Sequence, residues 1–197
     1  MRKLTFVATA LMLVALSAPP ARSGTPSPTK CTGTLGSVTI SGDLLVPAGE
    51  FCSLLRGTTV TGNVTVQGSL FTERAYVSGN LIGDHADSIS LTGSVVGGNL
   101  LADDTTGGPN TLCDSAINGN VTIQQSSSGS DWEIGRGAVC EVGVTVGQNL
   151  TFQNNLGHGD ITDNHIAGNL DCHNNTLAPS GFLNTVGGNT EGQCTGF

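Results

Sequence analysis

Val60-Thr-Gly-Asn-Val64, Val77-Ser-Gly-Asn-Leu81 and Val96-Gly-Gly-Asn-Leu100 spell one pattern three times: a β-branched residue, a spacer, Gly, Asn and an aliphatic. The same pattern opens earlier as Ile40-Ser-Gly-Asp-Leu44. It continues as Ile117-Asn-Gly-Asn-Val121, Val146-Gly-Gln-Asn-Leu150, Ile166-Ala-Gly-Asn-Leu170 and Val186-Gly-Gly-Asn-Thr190. With Asp43, Asn63, Asn80, Asn99, Asn120, Asn149, Asn169 and Asn189 as markers, the spacings are 20, 17, 19, 21, 29, 20 and 20. A period near twenty residues is the signature of a solenoid.

The columns of the repeat say which solenoid. Three residues before the marker, every position is Val or Ile, and one residue after it seven of eight are Leu or Val. Three after it stand Val46, Val66, Gly83, Ala102, Ile123, Phe152, Cys172 and Gly192. Eight before it, Leu35, Leu55, Leu91, Leu112 and Ile161 form a weaker apolar row. Apolar residues alternate with Ser, Thr and Gly at period two, which is strand patterning. The fold predicted is all-β: a single-domain parallel β-helix (β-solenoid) of about eight coils, stapled by disulfides. A leucine-rich repeat shares the period but calls for more Leu than Val and a helical return segment. In the β-helix reading Gly takes positive φ where the coil bends and Asn tolerates a left-handed backbone. Stacked side chains of Asn63, Asn80, Asn99, Asn120, Asn149, Asn169 and Asn189 form an amide ladder. At roughly 4.8 Å per coil, eight coils make a rod about 40 Å long.

Composition agrees. Of 197 residues 29 are Gly, aromatics are 4% and charged residues 11%, too little charge for a long-helix protein. Arg2 and Lys3, the apolar run from Leu4 to Ala18 and Ala21-Arg22-Ser23 read as a signal peptide over 1–23. Residues 24–30 read as a Pro/Ser linker and 31–197 as the β-helix domain, with a loop insertion at 125–139. After cleavage four basic side chains (Lys30, Arg56, Arg74, Arg136) face fifteen acidic ones, a net charge of 4 − 15 = −11. Nucleic-acid binding needs clustered Lys and Arg and is excluded; a second membrane-length apolar segment is absent.

Six Cys in an exported chain imply disulfides. Cys31 and Cys52 are 21 apart, Cys172 and Cys194 are 22 apart, and Cys113 and Cys140 span the long repeat. Bridges 31–52, 113–140 and 172–194 each join neighbouring coils, at a spacing that suits a disulfide.

Candidate sites are few. Asp84 and Asp103 share a column, Asp104 stands with His85 in the next, and Asp87 lies close by. Stacked carboxylates of this kind suit Ca²⁺, and no other cofactor is expected, while Gln67, Gln124, Gln153 and Gln193 in the Asp84 column point to a polar ridge. Trp132, the only Trp, with Arg136 beside it, is a candidate for stacking on a sugar ring. His158, His165 and His173 accompany Asp160, Asp163 and Asp171 in the last coils, a candidate set for a shared metal against which their different registers argue. No Gly-x-Ser-x-Gly elbow or nucleophile set stands out, and no catalytic residue is assigned.

The Val-x-Gly-Asn-[Val/Leu] pattern, Cys31 at its start and Val-Gly-Gly-Asn-Thr-Glu-Gly-Gln-Cys at 186–194 resemble a family of secreted bacterial proteins. The resemblance covers nearly all of 31–197 and carries over no catalytic residue. More distantly the repeats resemble bactofilin-type polymer-forming β-helices, from which the export signal and cysteines depart. The function expected is a secreted, non-enzymatic structural or interaction module of the cell surface or extracellular space. Its partners would be further copies of itself or an envelope glycan. The alternatives are a carbohydrate-binding or carbohydrate-active β-helix using Trp132 and the acids, and ice or crystal-face binding. The last needs an unbroken Thr array, whereas the column four before the marker mixes Thr with Tyr76, Val95, Ala116 and His165.

Overall fold

The computed structural model describes residues 27–138 and 140–197; the expected signal peptide and the first part of the linker lie outside the described residues. Each coil lays down three short strands, and each strand pairs in parallel with its counterparts one coil before and after. Three sheets result, of nine, eight and eight strands, and no helix occurs among the described residues. The chain is a β-solenoid of about eight turns.

Sheet 1 holds the strands that follow each marker, such as Leu81–Asp84, Leu100–Asp103 and Val121–Gln124. Sheet 2 follows after a corner, with Ser88–Thr92, Asn110–Cys113 and Trp132–Gly135. Sheet 3 is built of two-residue strands such as Val95–Val96 and Ala116–Ile117, and the Gly-Asn corner returns the chain to sheet 1. Thr29–Lys30, expected in the linker, already belong to sheet 1. The Thr29 amide donates to the Asp43 carbonyl at 2.8 Å and the Cys31 amide to that of Leu45 at 2.9 Å.

Strands form here because alternate residues point into a shared interior. Leu44, Val64, Leu81, Leu100, Val121, Leu150 and Leu170 are all buried, as are Ile40, Val60, Val77, Val96, Ile117, Val146 and Ile166. On sheet 2 the inward row runs Leu35, Leu54, Thr72, Leu91, Leu112, Ile134 and Ile161. Leu54 therefore takes the place that marker counting gives to Leu55, because the corner between them and Asn63 is one residue longer. Side-chain volume is balanced within coils: a Cβ on Gly159 would stand 2.6 Å from the Phe152 ring, and one on Gly83 2.5 Å from Ile89. Large and small residues thus share one close-packed layer.

The corners correct the expected role of the Gly-Asn pair. Left-handed φ occurs instead at the sheet 1–sheet 2 corner, at His85, Asp104, Gln125, Asn154 and Asn174. It recurs at the sheet 2–sheet 3 corner, at Arg74, Gly93, Asp114 and Asp163 among others. Among the marker corners only Gly42 has positive φ. Gly is required at the others by contact between coils. The Gly98 amide donates to the Gly79 carbonyl at 2.9 Å, and a Cβ on Gly79 would lie 2.6 Å from Asn63 Oδ1.

The insertion is also displaced. The 29-residue repeat runs from Asn120 to Asn149, but Trp132–Gly135 is a regular sheet 2 strand in register with Asn110 to Leu112. The extra residues lie after it, between Gly135 and Thr145, where neighbouring coils turn within two residues. Disulfides join Cys31 to Cys52, Cys113 to Cys140 and Cys172 to Cys194, with Cα separations of 5.5, 5.5 and 5.2 Å.

Candidate functional site

Stacking places equivalent positions of successive coils side by side, so each column of the repeat becomes a row on the surface. At the marker row, Asn80 donates its backbone N–H and its Nδ2 to Asn63 Oδ1 at 2.9 and 3.1 Å. Asn99 does the same to Asn80 and Asn120 to Asn99, with backbone distances of 2.8 Å. Asn149 continues the chain of bonds at 3.1 Å, and the Asn169 and Asn189 amides follow at 2.8 and 2.9 Å. At the first rung Asp43 Oδ1 accepts from Asn63 at 2.7 Å. A carboxylate suits that end, because the first rung needs only to accept.

Two further polar rows lie inside the corners and had no part in the sequence reading. Asn155 and Asn175 are buried, and Asn175 Oδ1 accepts both donors of Asn155 at 3.0 Å. Asn164 Oδ1 accepts from the Val144 amide at 2.9 Å, and Asn184 Oδ1 accepts from Asn164. The sequence signal available was their shared offset from the markers, five or six residues away. These amides satisfy corner backbone that the parallel ladders leave unpaired.

The acidic corner is organised by His85. Its Nδ1 lies 2.8 Å from Asp84 Oδ1 and its Nε2 3.1 Å from Asp104 Oδ2, so the imidazole bridges two consecutive coils. The hydrogen bond with Asp84 raises the His85 pKa, and attraction by Asp104 adds to it. With both ring nitrogens facing carboxylates, the doubly protonated imidazolium is the form that satisfies the geometry. Asp103 is register partner to Asp84, but accepts from Gln124 Nε2 at 3.1 Å, and Gln153 donates to Gln124 at 3.0 Å. Asp87 is exposed and hydrogen-bonds through its backbone to the Gly68 carbonyl. Asp84, Asp103 and Asp104 therefore meet His and Gln donors supplied by the chain itself.

Trp132 is 2% exposed and points into the core, its Nε1 donating to Ser126 Oγ at 3.2 Å. The expectation of a loop indole offering its face to a sugar is corrected: alternation on a regular strand turns Trp132 and Ile134 inward and Glu133 outward. Arg136 is exposed at the start of the true insertion, its guanidinium 3.9 Å from Asp163. Over this strand lies a groove of about 300 Å³ whose walls include Pro109, Asp131, Glu133, His158 and Asp160. Asp131 Oδ1 accepts from the His158 amide at 2.8 Å, and Asp160 Oδ1 from Thr162 Oγ1 at 2.8 Å.

The three late histidines fall on three sides of the rod. His158 borders the groove, His165 stands in the outer row of sheet 3, and His173 lies on sheet 1. His173 shares its strand with Asp171, opposite which stands Glu191, a residue the sequence reading did not single out. The outer sheet 3 row runs Thr39, Thr59, Tyr76, Val95, Ala116, Thr145, His165, Thr185, so its threonines are interrupted. No helix among the described residues is long and apolar enough to cross a membrane. Comparisons with protein-family models, curated proteins and solved structures give no match for this chain.

Proposed function

We propose that the chain is a secreted, non-enzymatic β-solenoid that serves as a structural or interaction module outside the cell or in its envelope. The observation that carries this reading is the set of three disulfides, each tying one coil to its neighbour. Such bonds persist in oxidising compartments and are rare where thiols are kept reduced. The resemblance to secreted bacterial repeat proteins supports the same reading.

The surface suits contact along its length. On sheet 1 the outward row Leu45, Thr65, Ile82, Leu101, Thr122 and Thr151 mixes aliphatic and hydroxyl side chains, all half-buried between their neighbours. A row repeating every coil presents equal spacings to a repetitive partner, either a second rod or a polymer. The test is light scattering on the oxidised, exported chain across a hundredfold concentration range, beside a panel of envelope polysaccharides. Growth with concentration, or binding without turnover, is the expected result. Release of shortened sugars would overturn the non-enzymatic reading.

A further inference from the structure

Asp171, His173 and Glu191 offer one ligand atom each, and the three atoms lie within 4.8 Å of one another. Their convergence follows from the coil. Leu170 and Cys172 face the core at 0% exposure, so Asp171 and His173 project outward from the same strand. Glu191 is the register partner of Asp171 on the following coil, which sets two carboxylates side by side, with the imidazole next to them.

The charge balance of this cluster is unlike that of the His85 corner. From Gly137 to Phe197 the sequence has no Lys or Arg. Among the described residues the buried Asp171 Oδ1 has no hydrogen-bond partner. A desolvated carboxylate oxygen without a donor is costly, and two adjacent carboxylates repel unless a cation lies between them. Among the described residues the one donor to the Glu191 carboxylate is Asn189 Nδ2, at 3.5 Å.

The backbone beneath is held in place. Cys172 and Cys194 are bonded under the strand, and Gln193 Oε1 accepts from the Asn175 amide and from its Nδ2, both at 2.9 Å. Gly192, at φ +65°, leaves room for the imidazole: a Cβ there would stand 2.5 Å from His173 Nδ1. Side chains of exposed His173 and Glu191 need to close by at most about 1.4 Å to reach the ligand separations of roughly 3.4 Å around a tetrahedral metal bound at roughly 2.0–2.2 Å.

We propose that Asp171, His173 and Glu191 form a binding site for a first-row divalent transition metal, with Zn²⁺ as its representative. One imidazole nitrogen with two carboxylates fits such an ion better than Ca²⁺ or Mg²⁺, which prefer all-oxygen sets. The remaining coordination positions face solvent and are filled by water. The ion clamps the last coil to the one before it from outside, at the rung that the Cys172–Cys194 bridge holds from within.

The test is calorimetric titration of Zn²⁺, and separately Ca²⁺, into the oxidised, EDTA-treated exported chain, with a thermal melt at each end point. Zn²⁺ is expected to bind one per chain, at least tenfold tighter than Ca²⁺, and to raise the melting midpoint. His173→Ala and Asp171→Asn should each weaken binding at least tenfold, whereas His165→Ala on sheet 3 should leave it unchanged. Side-chain NMR should show the His173 ring resonances shifting with Zn²⁺ and those of His165 remaining fixed. Should Asp171→Asn fail to fold, exposed His173→Ala decides alone. Absence of Zn²⁺ binding at millimolar metal, or binding indifferent to His173→Ala, overturns the assignment.

Discussion

Gly79→Ala puts the close-contact account of the Gly-Asn corner at risk. A Cβ at Gly79 would stand 2.6 Å from Asn63 Oδ1 and 2.7 Å from the Gly62 carbonyl oxygen, where a carbon–oxygen contact needs about 3.3 Å. The coils must part locally by several tenths of an ångström, or Asn63 must swing away from the two donors of Asn80. The molecule carries its own calibration, because Gln148 fills the Gly position in the sixth marker corner. There the amide-to-carbonyl distance to Gly119 is 3.2 Å, against 2.9 Å for Gly119 to Gly98, and the Asn149–Asn120 bond stretches to 3.1 Å. Gln148 recovers part of that loss by accepting from Asn120 Nδ2 at 2.8 Å, which Ala cannot do.

The magnitude follows from these terms. Overpacking costs about 1–3 kcal/mol, and weakening two hydrogen bonds adds about 1 kcal/mol. Stiffening the unfolded chain returns about 0.4–1 kcal/mol. The net loss is about 2 kcal/mol, or a melting point lower by roughly 4–8 °C for a chain of this size. Gly33→Ala is the control, since a Cβ there meets nothing within 4 Å and its φ is not left-handed. Thermal and urea unfolding of the oxidised proteins measures both. If Gly79→Ala unfolds within 0.5 kcal/mol of the parent, or Gly33→Ala loses as much, inter-coil contact is not what demands glycine.

Removing the Cys113–Cys140 bridge by paired Cys→Ser changes frees a separation of 27 residues and should cost roughly 3 kcal/mol in urea unfolding. A loss below 1 kcal/mol would mean that the 136–144 segment is held by other contacts. Trp132 should fluoresce at short wavelength, resist acrylamide and ignore added sugars; Trp132→Ala should cost about 3–5 kcal/mol. Quenching equal to that of free tryptophan would refute its burial. The His85 ring, followed by NMR, should titrate above its ordinary 6.5, and Asp84→Asn, which removes the largest cause, should bring it down. Because the folded value is the higher one, the stabilisation is complete below about pH 6.5 and fades as pH rises through the raised pKa. A His85 titration at or below 6.5 would contradict the bridge to Asp84 and Asp104.

The architecture was legible because a solenoid couples only nearest neighbours, so every long-range pairing is a fixed offset in sequence. Val60, Val77 and Val96 declare their contacts by standing seventeen and nineteen residues apart. What the offset cannot convey is how a coil of unusual length spends its extra residues. The marker spacing gives 29 residues between Asn120 and Asn149 but is silent on which corner absorbs them. The Ser-rich run at 125–130 resembles a loop more than Arg136 to Val144 does. Yet Trp132-x-Ile134 repeats the inward alternation of Asn110-x-Leu112, and that alternation decides the matter. Glycine likewise has two readings in sequence, positive φ or close approach, and only coordinates separate them.

For the surface sites, column position was legible and hydrogen bonding was not. Counting from the markers puts Asp84 beside Asp103, and the same count puts Asp171 beside Glu191, two residues past Asn169 and Asn189. From sequence the two pairs look alike, and the first drew attention because Asp87 and Asp104 crowd it. Their physical situations are opposite. Asp84 and Asp104 share the His85 imidazole and Asp103 has the Gln124 amide, so the chain supplies its own counter-dipoles. Among the described residues Asp171 keeps a buried oxygen with no donor, one coil from a second carboxylate and beside an imidazole nitrogen. Acid count favours the first cluster as a cation site, whereas unmet hydrogen-bonding demand favours the second. Demand is the sounder guide, since a carboxylate already satisfied gains little from a metal and an unsatisfied one gains the full cost of its desolvation.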